Sequence, residues 1–224
     1  VMGNPVSAVS KAKVKTPEPR ALTDGELARF RAAVRKPRKR GNSYLPDVFD
    51  VQLALALRIG EVLALHTADM DLDNPLGARV HVRSTVDNSS KPIIQPHTKE
   101  GPKGARTLLA PDWIVDVLRK RRAHTGPTGL LFVSPRTGRI INQRHVQQAW
   151  LRLRDSADLS WVTPHILRKT ALSRIADTLG VDAATSYAKH SSSAVTIKHY
   201  IQPKPHLSPD VNSALGSLAP HPEE

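Results

Sequence analysis

Thr163-Pro164-His165-Ile166-Leu167-Arg168-Lys169 begins a segment that runs through Lys189-His190-Ser191-Ser192 to Thr196-Ile197-Lys198-His199-Tyr200, and the rest of the chain reads as scaffold around it. Threonine followed by proline is a helix start, because a hydroxyl can cap the first free backbone N–H groups and proline suits the first helical position. His165 and Arg168, three apart, share a face near that start, while Ile166, Leu167, Leu172, Ile175, Ala176 and Leu179 supply the apolar side. The positive end of the helix dipole lies at the same place, which makes a seat for a phosphate. Gly180 ends this helix, and Asp182 is expected to cap a short one over residues 183–189 that delivers His190. Ser191 to Ser193 then break the chain before a last helical turn leading to Tyr200. Two imidazoles, a guanidinium and a phenol in this order point to phosphate chemistry with a tyrosine nucleophile, given a further cation and a proton donor from elsewhere.

Upstream, Arg58 stands between two apolar runs, residues 46–57 and 62–65, the first read as a buried helix ending at Arg58. An arginine there is costly unless paired, and Glu61 or a bound anion would pair it. Leu22-Thr23-Asp24-Gly25-Glu26 is a capping box opening a helix with Leu27, Phe30 and Val34 on its inner side, closed by a charged loop over residues 36–41. Residues 69–74 read as an acidic, turn-rich link. From Ala78 the period changes to that of strands. Val80 and Val82, then Ile93 and Ile94, then Thr107 to Leu109 predict a small three-stranded antiparallel sheet, with Lys99 at the tip of its second hairpin. Residues 112–122 and 142–157 read as amphipathic helices, with Leu130 to Val133 a short extended piece, and Trp113, Trp150 and Trp161 are expected in the core. The fold class is therefore mainly α with a small three-stranded antiparallel β-sheet (α+β).

Thirty-three Lys and Arg against 20 Asp and Glu give a formal charge of +13 over 224 residues, and a polyanion is the partner this implies. Nucleic acid is favoured over a membrane surface, since no basic amphipathic anchor, lipidation motif or long apolar run is present. The absence of cysteine excludes disulfides and thiolate metal sites. Three divisions are expected: a basic interdomain linker over 1–21, one catalytic unit over 22–203, and a tail over 204–224 that docks on a neighbouring protomer or stays disordered. Val1, in place of a start methionine, fits a piece of a longer protein with a DNA-binding segment upstream.

Four boxes in order resemble the catalytic domain of the tyrosine recombinase (phage integrase) family over roughly residues 22–202. They are Leu57-Arg58-Ile59-Gly60-Glu61-Val62-Leu63-Ala64-Leu65, His97-Thr98-Lys99 with the run from Gly101 to Leu109, Pro164-His165-Ile166-Leu167-Arg168-Lys169-Thr170, and Lys189-His190-Ser191-Ser192 with Thr196 and Tyr200. Two positions depart from the family's usual pattern: Lys189 stands where a glycine usually precedes the last histidine, and Leu55-Ala56 where a small polar pair usually precedes the first arginine. The resemblance implies the family's catalytic-domain fold and strand transfer through a 3′-phosphotyrosyl intermediate, with no cofactor, metal or ATP. It implies Tyr200 as nucleophile, Arg58 and Arg168 on the non-bridging oxygens, Lys99 as acid for the leaving 5′-oxygen, His165 as proton shuttle, His190 as a donor to a non-bridging oxygen, and Glu61 as the group orienting Arg58. It further implies double-stranded DNA recombination sites as partner, a tetramer on DNA, accessory DNA-bending or directionality proteins, no membrane, and action in a bacterial host's cytoplasm.

Taken singly, each residue has a plainer reading: Arg58 with Glu61 as a structural ion pair, His165 as a cap, Lys99 as a solvated charge with Lys91 and Lys103 as local rivals, Tyr200 with Tyr44 and Tyr187 as rivals. Two other functions fit the same fold. A type IB topoisomerase would relax supercoils as a monomer, and a non-catalytic DNA-binding module would have lost Tyr200 or an arginine.

Overall fold

The computed structural model describes residues 20–36, 43–189 and 196–197. His190, Tyr200, the tail and most of the basic segment and charged loop lie outside the described residues.

The first helix, α1 (Asp24–Arg35), starts where the capping box requires. The Glu26 backbone N–H donates to Thr23 Oγ1 at 3.2 Å and the Thr23 N–H to Glu26 Oε2 at 3.0 Å, so two otherwise orphaned donors are satisfied reciprocally. Its inner face buries Phe30, Ala33 and Val34. The second helix, α2 (Leu45–Ala54), is earlier and shorter than its apolar run. The run does not continue to Arg58 because the chain leaves the helix at Leu55 and passes through a left-handed Ala56 with φ 47°. A separate short helix, α3 (Ile59–Leu63), then begins with Arg58 at its cap position.

Phe30, Phe49 and Trp150 form the aromatic centre, with ring centroids 4.5 to 6.4 Å apart in tilted or edge-on arrangements. Trp150 belongs to α5 (Gln143–Arg154) and is wholly buried, its indole N–H donating to the Val162 carbonyl at 2.7 Å. Truncating such an anchor to alanine would cost about 3–5 kcal/mol. Of the other two, Trp161 packs against the edge of the core and Trp113 is a surface residue. Trp113, on α4 (Asp112–Ala123), is 51 % exposed, and Trp161 is half-buried under the Arg20 guanidinium, 3.8 Å from its ring centroid. Each offers a ring face to an arginine at the surface, Trp113 to Arg31.

The three-stranded antiparallel sheet exists, with a different membership from the one the strand-like runs predict. Its order is β1 (Met70–Asp71), β2 (Arg79–Val82), then β5 (Arg106–Leu109), with Met70 opposite Val80 and Val82 opposite Arg106. The residues expected to be a turn-rich link thus supply its edge. Ile94 instead lies in β4 (Ile94–Gln95), which pairs only with β3 (Thr85–Val86). Exposed Ile93 and half-exposed Ile94 have no core to face, so hydrophobicity there did not mark a central strand.

The last two helices close the domain. In α6 (Pro164–Leu179), Leu167 and Leu172 are buried, but Leu179 at its end is 70 % exposed. Thr163 occupies the cap position without a side-chain hydrogen bond to the helix. The Thr170 hydroxyl accepts from the Leu22 N–H at 2.9 Å, tying the start of the domain to α6. Gly180, with φ 89°, ends α6 and begins α7 (Val181–Ala188), so the glycine takes the cap place expected of Asp182. Among the described residues no helix is long and apolar enough to cross a membrane.

Candidate active site

A carboxylate that is 1 % exposed, Glu61 on α3, is the point on which the site is built. An ionised group so deep must be paired, and Glu61 is paired three ways. Its oxygens accept from Arg106 Nη1 at 3.3 Å and Nη2 at 3.0 Å, from the Arg58 backbone N–H at 2.9 Å, and from Arg58 Nη1 at 3.3 Å. Arg168 Nη1 lies 3.8 Å away. Burial opposes ionisation of this carboxyl, but the charge and hydrogen bonds of Arg106, the charge of Arg168 and the Arg58 N–H outweigh it and hold its pKa below the usual range. Three guanidiniums from three distant parts of the chain converge on one anion.

Arg168 is fully buried on the inner side of α6. Its Nη1 donates to the Ala56 carbonyl at 2.6 Å and its Nη2 to the Ala188 carbonyl at 3.1 Å. The guanidinium therefore bridges the turn before α3 and the end of α7. Both turns pass through left-handed residues that are not glycine, Ala56 at φ 47° and Lys189 at φ 56°. His165 and Arg168 differ in depth although they lie three apart on α6. Arg168 turns inward to these carbonyls, whereas His165 keeps a solvent-exposed side at the first turn of α6.

The His165 imidazole is held down to about 4, first by the partial loss of water on its inner side, then by the positive charges of Arg168, Lys169, Arg58 and Lys99. It is consequently neutral at pH 7 and able to accept a proton. Lys99 is one of these charges, the smallest of the four. Lys99 is exposed, at the tip of a tight turn whose Gly101 N–H bonds the Thr98 carbonyl at 2.9 Å. The hairpin closes so tightly that a Cβ at Gly104 would come within 1.8 Å of Thr98 Oγ1. Next to Lys99, Glu100 forms a two-pronged pair with Arg58, Nη1 to Oε2 at 2.8 Å and Nη2 to Oε1 at 2.5 Å.

Of the expected groups, Arg58 and Arg168 thus meet at Glu61, and His165 feels the charges of Arg168, Arg58 and Lys99. A model of the phage integrase family matches residues 20–206. The chain belongs to the phage integrase family. The fold is similar to those of several solved structures. The Tn1549 transposon integrase in complex with transposon right end DNA aligns over 95 % of this chain and 70 % of that one, at 18 % identity and a TM-score of 0.67. XerA recombinase aligns over 95 % and 68 %, at 20 % identity and a TM-score of 0.61. A lambda integrase dimer bound to a core site aligns over 94 % and 56 %, at 17 % identity and a TM-score of 0.60. No curated protein matches the sequence. This tyrosine-type site-specific recombinase is mainly helical with small antiparallel sheets, as its family's catalytic domain is.

Two tyrosines of this integrase-family domain are engaged in packing. Tyr44 is 5 % exposed, and Tyr187 is packed against the core, its hydroxyl pushed up to about 12 by burial, against a small opposing effect of Arg106. The segment leading to Tyr200 is described at Thr196, which is buried and shares a hydroxyl hydrogen bond of 2.9 Å with Thr185 of α7. Sequence reasoning missed Arg106 and Glu100. Arg106 reads as one more cation in a basic hairpin, yet its position alternates with Leu109 across β5, and the strand period places it inward beside Leu108's register.

Proposed function

We propose that the enzyme breaks and rejoins DNA strands at specific sites through a 3′-phosphotyrosyl intermediate formed by Tyr200. The Tyr200 oxygen attacks the scissile phosphorus, its proton passes to His165, and the phosphorus–oxygen bond to the 5′ side breaks as Lys99 delivers a proton to the departing oxygen. A 5′-hydroxyl from another strand reverses these steps. Because the phosphotyrosyl link retains the phosphodiester's energy, no ATP is required, and guanidiniums do the electrostatic work that a divalent cation does in many nucleases.

The observation that carries this reading is the gathering of Arg58, Arg106 and Arg168 on buried Glu61, with Lys99 and a neutral imidazole at the rim. Such a group suits the negative charge that grows on the non-bridging oxygens of a pentacoordinate phosphorus. Arg58 and His190 bind one face of that phosphate. Arg168 reaches the other oxygen by exchanging one of its carbonyl partners for it. Glu61 keeps Arg58 aimed. The catalytic unit spans residues 22–203, with residues 1–21 a linker and 204–224 a tail that reaches a neighbouring protomer. The substrate is a double-stranded recombination site held by a tetramer, with accessory DNA-bending or directionality proteins, in a bacterial host's cytoplasm.

Trapping on a nicked suicide substrate tests this directly. Wild-type protein is expected to give a covalent protein–DNA adduct whose labelled peptide contains Tyr200, and Tyr200→Phe to give none while still binding duplex. Adduct of undiminished yield in the phenylalanine variant would remove Tyr200 from the mechanism.

A further inference from the structure

The Arg58 guanidinium, the group that the proposed reaction aims at phosphate, is occupied by two carboxylates. One, Glu61, is buried and belongs to the foundation of the site. The other, Glu100, comes from the hairpin and is only partly buried, with 27 % of its side chain exposed against 0 % for Glu61. Its geometry is the parallel two-oxygen fork that a guanidinium also makes with two phosphate oxygens. A carboxylate in that position and a phosphate cannot both use the same two N–H groups.

Resting on the phosphoryl-transfer reading above, we propose that Glu100 is a resident substitute for the scissile phosphate, and that its displacement sets the position of Lys99. Glu100 and Lys99 are neighbours in a turn whose ends, Thr98 and Gly101, are hydrogen-bonded to each other. Thr98 also reaches Glu100 Oε2 with its hydroxyl, at 3.3 Å. The turn is too short for one residue to move without the other. When a phosphate takes the Arg58 fork, Glu100 is expelled by competition and by like-charge repulsion, and the turn carrying Lys99 must rotate with it. The exchange replaces one anion with another, so Arg58 is never left uncompensated, and the proton donor is re-aimed only once substrate is present. Glu100 is thus a positioning residue that withholds the final aim of Lys99 until a phosphate occupies the Arg58 fork.

The test uses Glu100→Gln, which keeps shape and removes charge, with inorganic phosphate at constant ionic strength as the probe of the fork. Titration calorimetry is expected to show the variant binding phosphate on the order of ten-fold tighter than wild type, about 1.4 kcal/mol. The gain is expected to vanish in the double variant Arg58→Gln/Glu100→Gln, and covalent capture on a nicked site to start faster in Glu100→Gln. Equal or weaker phosphate binding by the single variant, or a gain that persists without Arg58, would overturn the proposal. If no protein, wild type included, forms an adduct with DNA, the strand-transfer reading fails, and the phosphate titration alone decides the role of Glu100.

Discussion

His165 shows how a single residue's chemistry is set by its neighbours. Its depressed pKa comes from partial desolvation and from four positive charges, so a bound phosphate, which offsets those charges, should raise it. An NMR titration of the His165 ring is expected to give a midpoint near 4 in the free protein and a higher one with phosphate or DNA bound. A midpoint that does not move on binding would mean that the anion sits elsewhere. The same shift has a consequence for stability. The unfolded chain binds a proton at His165 below about 6.5 and the folded one only below about 4, so this residue makes stability rise with pH across that window. Glu61 acts in the same direction at lower pH, since its folded pKa is depressed and its contribution disappears as pH falls through that value.

The turns that join elements are where this chain carries strain. Ala56 lies in the passage from α2 to α3 and Lys189 at the C-terminal cap of α7, both in the left-handed region that costs an L-residue roughly 1–2 kcal/mol. Their neighbouring carbonyls hold Arg168, one at Ala56 itself and one at Ala188. The geometry of these turns is therefore imposed by the arginine's hydrogen bonds against local preference, and they coincide with the two departures from the family's usual sequence pattern. Ala56→Gly and Lys189→Gly should each stabilise the fold by about 0.5–1 kcal/mol in urea denaturation, with Arg168 still in place. Destabilisation by either glycine would show that the side chain there contributes more than its backbone strain costs.

At the level of the whole molecule, a charge of +13 makes DNA affinity a matter of counterion release. The observed binding constant should fall steeply with salt, by a log–log slope of roughly −0.9 for each phosphate contacted, so that six contacts give a slope near −5. A slope near zero between low and moderate salt would contradict a broad phosphate-tracking surface. The charge, the capping box at Thr23, the helix start at Pro164, the glycine stop at Gly180 and the four family boxes were all legible in the sequence, because each depends on residues close together in the chain or on composition. The membership of the sheet was not, since the edge partner of β2 is decided by which segment the folded core leaves beside it, and the apolar Ile93-Ile94 pair misled. Nor was the inward turn of Arg168, the burial of Arg106 or the Glu100 fork on Arg58. Those pairings join positions from 42 to 112 residues apart, and which anion a cation meets across such distances follows from the packing of helices and hairpin around one buried carboxylate.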